Sequence, residues 1–468
     1  LQRTTEIALS TLFLFLLFFQ IQDHVFFWDT IQLGSKHAHF FYETNFSSLI
    51  LPEEIDSGHP PLLGLLLAAA WSLFGKSLAV SHWLMFPFVW GIVYLLFQLG
   101  DVFLGKKRAF LLVLLCMLDP MLAGQAILIS PDLILVFGFL LGWWSILKKK
   151  TWGKILAALL LAALSTRGMM VVVILFLADL YEVWLNEKKV PFKDLISRFL
   201  HYVPSGLLGL AFLGYHYLET GWVGYHAGSE WAPSFERVDF TGLLKNLVVL
   251  GWRMLDFGRV FLWIILIVLL FRNGNLFKKL SIHQKRTLFL FAVSTLFLSI
   301  TFLSYKGLQQ NRYLLPAVIG FNLLFVVCIK AWLFSVRVRS FIFLISIIAL
   351  LTGNLWIYPD KISQGWDSTL AHWPYYSLRE KMLDYLEESE IPFEEVGTAF
   401  PEIGPLKYKD LSSREEGMVE KNLEQQSYVL YSNVINDFSD EEIDELRKKW
   451  NIRRKFNANG IHIILYVR

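Results

Sequence analysis

The chain has 468 residues, of which 55% are hydrophobic, 16% aromatic and only 18% charged, with a net charge of +3. A mean hydropathy of +0.48 leaves more apolar surface than a soluble domain can hide, which excludes that class and points to a polytopic membrane protein. The net charge is too small, and a basic tail too plainly missing, for a nucleic-acid partner.

In chain order, Arg3 is followed by an apolar run from Ile7 to Phe19 with no small-residue cleavage motif after it, which reads as a retained first helix rather than a signal peptide. A spanning helix needs roughly 20 mostly apolar residues. Further runs of this kind fall at 77–99, 109–128, 133–147, 152–166, 168–185, 199–218, 258–271, 287–304, 313–330 and 340–357, giving about eleven spans with the first at 6–22. Cys116 and Cys328 lie inside such runs and suggest neither a disulfide framework nor a thiolate metal site.

The run from Pro60 to Phe74 is different. As a helix it would be about 23 Å long, against a hydrocarbon core of roughly 30 Å. If it lies along the surface, five basic clusters share the cytoplasmic face: Lys106-Lys107-Arg108, Lys148-Lys149-Lys150, Lys188-Lys189 with Lys193, Lys278-Lys279 with Lys285-Arg286, and Arg337 with Arg339. If it crosses, the first three move outside. The surface arrangement is preferred, with the N-terminus cytoplasmic and the C-terminus extracytoplasmic. Residues 23–76 then form an outer first loop, in which Ile31 to Phe46 has the pattern of an amphipathic helix at the interface.

From about Tyr358 the composition turns polar. "REKMLDYLEESE" and "SDEEIDELRKKW" read as helices, the second opened by a Ser439/Glu442 capping box. "QSYVLYSNV", "RRKF" and "IHIILYV" read as strands, the last two joined by an Asn459-Gly460 hairpin turn. The expectation is a transmembrane domain over 1–357 and a small extracytoplasmic α/β domain over 358–468.

On this topology the charged residues at outer helix ends are Asp29, His59, Asp132, Arg167, Glu219, Lys306 and Arg312. Ionisable groups at a membrane are costly, so each needs a reason. Asp29 in "FFWDT" is either a solvated loop carboxylate or a general base near the membrane face. Asp132 follows Ser130 and Pro131, a helix-start pattern in which the dipole alone favours a carboxylate; the alternative is a second site carboxylate. His59 in "DSGHPPLLG" is either an ordinary interfacial histidine or a group held at phosphate depth. Arg167 and Arg312 sit where positive charge is disfavoured, and either snorkel or bind an anion with their guanidinium forks; Lys306 lies close to Arg312 in sequence. Acid, base and cations at headgroup depth suit group transfer from a phospholipid-like donor.

Several short motifs, in order, resemble the GT-C glycosyltransferases of the family 39 and 83 type, the protein O-mannosyltransferases and lipid A aminoarabinose transferases. "FFWDT" resembles the acidic first-loop segment and "GHPPLLGLLLAAAWSLFGKSLAVSHW" the K/H-P-P-L…F-G segment. "ISPDLILVFGFLLGWW" resembles the acidic start of a later span, "AALSTRGMMVV" the L-T-K-G turn and "QNRYLLPAV" the R-Y-x-x-P turn. The likeness runs over about 1–330. It departs at Arg167 where lysine is usual, at His59 where lysine is common, at His82 where arginine is expected, and at Thr30 where a second acid is expected.

The resemblance implies a multi-pass inner-membrane enzyme. It would move one hexosyl or pentosyl group from a polyprenyl monophosphate donor to a hydroxyl of a protein, lipid or glycan acceptor, inverting the anomeric centre. It implies Asp29 as the base, Asp132 as orienting the acceptor or aiding a divalent cation, and Arg167, Arg312, His59 and Lys306 around the donor phosphate. The resemblance names no cofactor beyond that cation, and the polyprenyl-phosphate sugar is a substrate. A transporter or flippase, or a polysaccharide ligase or polymerase, are the competing readings. Transport predicts charges at mid-membrane depth, where the spans are nearly free of them, although Asp179 and Asp256 need placing.

Overall fold

Small polar caps set several helix starts in this chain, Ser77, Ser130, Ser165 and Asp239 among them. The computed structural model describes residues 2–229, 232–272, 280–333 and 335–468; the Lys278-Lys279 pair of the charge test lies outside them. Among the described residues, seven helices are long and apolar enough to cross a membrane: Arg3–Ile21, Leu78–Phe103, Thr166–Glu187, Phe192–Thr220, Ile282–Ser304, Asn311–Trp332 and Val336–Gly353. Two bent pairs raise this to nine, and the shorter helices Pro131–Leu147 and Thr151–Leu164 account for the remaining two of the eleven expected runs. The protein is a multi-pass helical membrane protein.

Two of the expected spans differ from straight rods. The run 109–128 bends by 77° between Lys106–Met117 and Pro120–Ala126. Asp119 caps the second arm by accepting from the Met121 amide at 3.1 Å, and Pro120 occupies its first position. Asp119 leaves helical backbone (ψ 121°) and caps a new start, and Pro120, which has no amide to donate, suits the first position of the second arm. The run 258–271 is one arm of a second bent pair, Phe240–Leu255 with Arg259–Arg272, crossing at 91°. Its first arm opens at an Asp239 cap and exposes Phe240, Leu243, Leu247 and Val248 on its surface. Sequence reasoning missed this helix, because Lys245, Asn246 and Arg253 break its hydropathy run.

The segment between the first two long helices carries the helix that its amphipathic pattern implies. Ile31–Lys36 and His37–Glu43 form a helical segment, packed on Leu62–Phe74, a helix of 13 residues. A helix of that length spans about 20 Å, too short to cross.

The C-terminal part is a six-stranded mixed sheet. Its strands are β1 (Val396–Thr398), β2 (Gly404–Pro405), β3 (Gly417–Glu420), β4 (Tyr428–Ser432), β5 (Asn451–Ala458) and β6 (Ile461–Val467), in the order β2-β3-β1-β4-β6-β5. β1 is parallel to β3 and β4, and the other pairs are antiparallel. Helix Pro374–Glu388 covers one face through Tyr375, Leu378 and Met382, packed with Leu430, Ile463 and Leu465. Helix Asp440–Lys449, opened by the Ser439/Glu442 capping box, covers the other with Val429, Ile464 and Tyr466. The alternation along β4 and β6 is the period-two signature of a strand buried on both faces. Asn459 and Gly460, at φ 49° and 82°, make the expected hairpin turn.

The sheet domain is clamped to the segment that follows the first helix. The Phe26 amide donates to the Lys409 carbonyl at 2.8 Å, Phe27 stacks on His372 with ring centroids 4.5 Å apart, and His24 stacks on Tyr376 at 4.0 Å. The core that fills the helix bundle continues into the sheet's Tyr375 face. This junction carries one wall of the site below.

Candidate active site

Arg312 lies in a short 3-10 turn, Asn311–Leu314, that runs straight into the helix Leu315–Trp332. Its side chain is buried at 6% exposure and reaches three carboxylates through three nitrogens. Nη2 meets Asp29, Nη1 meets Asp367 and Nε lies 3.3 Å from Asp132. Asp132 is held in turn by Arg167, whose Nη1 is 2.6 Å from its other oxygen. The aromatic ring of Tyr313 lies beneath both guanidinium groups, 4.3 Å from Arg167 and 5.2 Å from Arg312. Buried charges survive only when paired in this way.

The helix caps explain the placement. Ser130 accepts from the Asp132 amide at 3.1 Å and Ser165 from the Gly168 amide at 3.0 Å, so Pro131–Leu147 and Thr166–Glu187 start at one level. Asp132 and Arg167 are therefore brought side by side at two helix N-termini. The helix dipole favours the carboxylate there, and Arg167 needs it as a partner.

Asp29, His59, Asp132, Arg167 and Arg312 all line one cavity of about 260 Å³. The sequence-predicted Lys306 does not. Its ammonium pairs with Glu236, both largely exposed at 61% and 55%, although its neighbour Gly307 reaches the cavity wall. Glu219 is exposed. His82 is buried, with Nε2 donating to the His24 carbonyl at 2.9 Å, and is not part of the lining.

His59 differs from its expected role in charge. Burial, helped by the positive charge of Arg167 and by His37, pushes its pKa down to about 4, so at neutral pH it is an uncharged imidazole. Its Nδ1 is 3.1 Å from the Thr166 hydroxyl. The loop that carries it is fixed by Asp56, which accepts from the Gly58 amide at 2.8 Å and contacts His216 Nε2 at 2.9 Å.

Asp367 was missed by sequence reasoning, as were Thr166 and Tyr313. Asp367 lies in a turn, Trp366–Ser368, between the last span and the sheet, in a stretch that reads as a linker. The Gln125 amide donates to its backbone carbonyl at 2.8 Å, and Gln125 also contacts Ser130. The only sequence signal is an acid beside a tryptophan in an otherwise uncharged stretch, "SQGWDSTLAHW".

The three carboxylates differ in access. Asp132 and Asp367 are each 3% exposed, whereas Asp29 is 29% exposed. Only Asp29 therefore presents an oxygen to an incoming group. Three carboxylates against two guanidinium groups leave a formal charge of −1, with Arg312 filling the space between the acids. Among the described residues, no three His, Cys, Asp or Glu side chains converge in a metal-binding arrangement.

The two acids that needed placing are both in polar clusters. Asp179 pairs with Lys154 at 2.6 Å and with Arg198, towards the far ends of their helices. Asp256 sits by Arg253 at 3.5 Å and takes a hydrogen bond from Asn311 at 3.2 Å. A further buried pair, Asp119 with Arg259 at 2.8 Å, lies at the two helix breaks, so the bundle interior is less free of charge than the hydropathy runs suggested.

No protein-family model matches the chain, and no curated protein matches it. Among solved structures, ArnT from Cupriavidus metallidurans bound to undecaprenyl phosphate has a similar fold, with a TM-score of 0.54 at 9% identity, covering 99% of this chain and 98% of that one. Its apo state gives a TM-score of 0.52 at 9% identity, covering 99% and 97%. The chain has the GT-C fold of ArnT, and the likeness extends beyond the motif-bearing part into the C-terminal sheet domain.

Proposed function

We propose that the protein is a membrane glycosyltransferase that moves a single sugar from a polyprenyl monophosphate donor to an acceptor hydroxyl on the extracytoplasmic face. The observation that carries this reading is the cluster of Asp29, Asp132 and Asp367 around Arg312, with Arg167 beside it, in one cavity of about 260 Å³. The shared fold with a structure that binds undecaprenyl phosphate supports the donor class. In this reading the N-terminus is cytoplasmic and the domain at 358–468 is extracytoplasmic, in the inner membrane.

The reaction follows from the charges. The donor phosphate competes with Asp29 for the Nη2 side of Arg312, which frees the one accessible carboxylate. Asp29 then takes the proton of the acceptor hydroxyl as its oxygen attacks the anomeric carbon. The new C–O bond forms as the bond to the phosphate oxygen breaks, and the electron pair leaves on the phosphate. The added negative charge is met by Arg312 and Arg167, while neutral His59 gives a hydrogen bond rather than a charge. One displacement inverts the anomeric centre. Asp132 and Asp367 hold the guanidinium groups in register, and Lys306, held by Glu236, stands outside the phosphate site.

The test is Asp29→Asn in the purified protein, assayed for transfer from a panel of polyprenyl-phosphate sugars and for binding of undecaprenyl phosphate. Transfer is expected to fall by about 10²–10⁴-fold with lipid-phosphate binding retained. Transfer at the wild-type rate removes Asp29 as the base. A wild-type protein that does not bind undecaprenyl phosphate overturns the donor assignment itself.

A further inference from the structure

A second cleft lies at the other end of the bundle. Arg312 and Lys330 begin and end one nearly continuous helical segment, Asn311–Trp332. Their separation of 18 residues corresponds to about 27 Å along the axis, so the two openings face opposite membrane leaflets. This cleft has a volume of about 210 Å³ and is walled by Leu104, Leu111, Phe343, Leu344 and Ile347, with Arg108, Lys330 and Arg339 among its lining.

Among the described residues, none of the three cations is paired with an acid. The Lys330 ammonium donates to the neutral Phe103 carbonyl at 2.9 Å, and the charges acting on it are Arg108 and Arg339. Arg339 Nε is buried with no hydrogen-bond partner. The nearby Asp101 is taken by Arg3. The buried Arg259 and Lys154, by contrast, have Asp119 and Asp179 as partners, whereas these three, half-buried or exposed at the cleft rim, have none among the described residues. Like charges gathered around an apolar cleft are unfavourable unless an anion joins them. The cleft also borders the lipid-facing surface, where Val336 and Leu344 are 58% and 54% exposed.

We propose that this cleft holds an anionic diacyl phospholipid. Its phosphate sits between the Arg108 and Arg339 guanidinium groups and the Lys330 ammonium, and one acyl chain runs along Leu111, Leu344 and Ile347. Basic pockets between spanning helices suit such headgroups, and the apolar wall suits the chain. The volume is below that of a pocket enclosing a whole small ligand, so the headgroup and upper chain are seated while the rest stays in the bilayer. The site is independent of the transfer reaction and lies in the other leaflet.

The experiment is native mass spectrometry of the full chain in neutral detergent, with phosphatidylglycerol or phosphatidylcholine of matched chains added. Phosphatidylglycerol adducts are expected to persist under activation that strips phosphatidylcholine. Each basic side chain near a membrane surface is worth about 5-fold in anionic lipid binding, so R108Q/R339Q should weaken phosphatidylglycerol binding about 25-fold. K148Q/K149Q, at the same end of the bundle, should leave it unchanged. Leu344→Trp alters only an exposed wall position and should lower retention with every charge intact, so it decides the matter if the charge variant does not fold. Equal retention of the two lipids, wild-type binding by either cleft variant, or equal loss in K148Q/K149Q overturns the proposal. Displacement of phosphatidylglycerol by an equimolar amount of undecaprenyl phosphate overturns the diacyl assignment.

Discussion

Arg312→Lys keeps the positive charge and removes the fork, which makes it the sharpest probe of the cavity. The guanidinium uses Nη1, Nη2 and Nε for Asp367, Asp29 and Asp132. A single ammonium on a flexible stem reaches one of these well, and two contacts are lost. Hydrogen bonds to charged groups are worth about 1.5–3 kcal/mol each, so about 3–6 kcal/mol of local ordering is at stake. The retained charge and the Asp132–Arg167 pair offset part of it. For the proposed reaction, losing one fixed donor to a developing phosphate charge costs about 10²–10³-fold in turnover. The assay measures undecaprenyl phosphate affinity by ligand-dependent thermal shift over a concentration series, then transfer with a competent donor. Arg312→Lys is expected to bind about 10- to 100-fold more weakly and to transfer slowly, and Arg312→Gln more weakly still. A lysine variant with wild-type affinity and rate would show that charge alone is enough, and the three-way arrangement would lose its functional meaning.

Three other substitutions separate orientation from charge. Asp367→Asn removes one negative charge from a site of formal charge −1, so donor affinity should rise while kcat falls by up to about 10²-fold as Arg312 loses its anchor; kcat and KM moving the other way would place Asp367 outside the reaction. His59 has its pKa lowered to about 4 in the fold and regains about 6.5 on unfolding, so the unfolded chain binds the extra proton between those values. Its contribution to stability is complete above about pH 6.5 and is lost as pH falls towards 4, and His59→Gln should therefore lose less melting temperature than wild type between about pH 7 and 4.5; equal losses would refute the burial argument. Gly58 has φ +66°, and an added Cβ would lie 2.4 Å from the Gly224 carbonyl oxygen. Gly58→Ala should destabilise by at least about 1–2 kcal/mol, read as a lower melting temperature and weaker undecaprenyl phosphate binding, and an unchanged melt would show that the turn yields.

Much of the fold was legible because its signals are local. Ser130-Pro131-Asp132 announces a helix start, and it caps one. The Ser439/Glu442 box and the Asn459-Gly460 turn are likewise complete within a few residues. What escaped was the shape of the apolar runs. Asp119 and Pro120 interrupt 109–128 without lowering its average hydropathy much, yet a cap and a missing amide turn the chain by 77°. Phe240–Leu255 escaped for the opposite reason. Its apolar residues occupy one face, so no continuous run exists, although the first arm is as helical as the second.

The site shows the same division between what is local and what is not. Asp29, Asp132, Arg167 and Arg312 stand out because a charge at the end of an apolar helix is costly without a partner, and here the partners are one another. Lys306 misled because nearness in sequence is not nearness in space: six residues from Arg312, it is captured by Glu236 on another loop. The neutral state of His59 depends on burial by elements distant in the chain, which no motif records. Asp367 is the strongest case. Its approach to Arg312 requires the turn at 367–369 to press against Gly124, where a Cβ would lie 2.5 Å from the Thr369 amide nitrogen and 2.9 Å from the Asp367 carbonyl oxygen. Gln125 then binds that same carbonyl. The signal is thus split between "AGQ" and "WDST", more than 240 residues apart, and neither half has meaning until the fold joins them. A bulky substitution at Gly124 should therefore disturb Arg312 through Asp367, without touching the cavity directly.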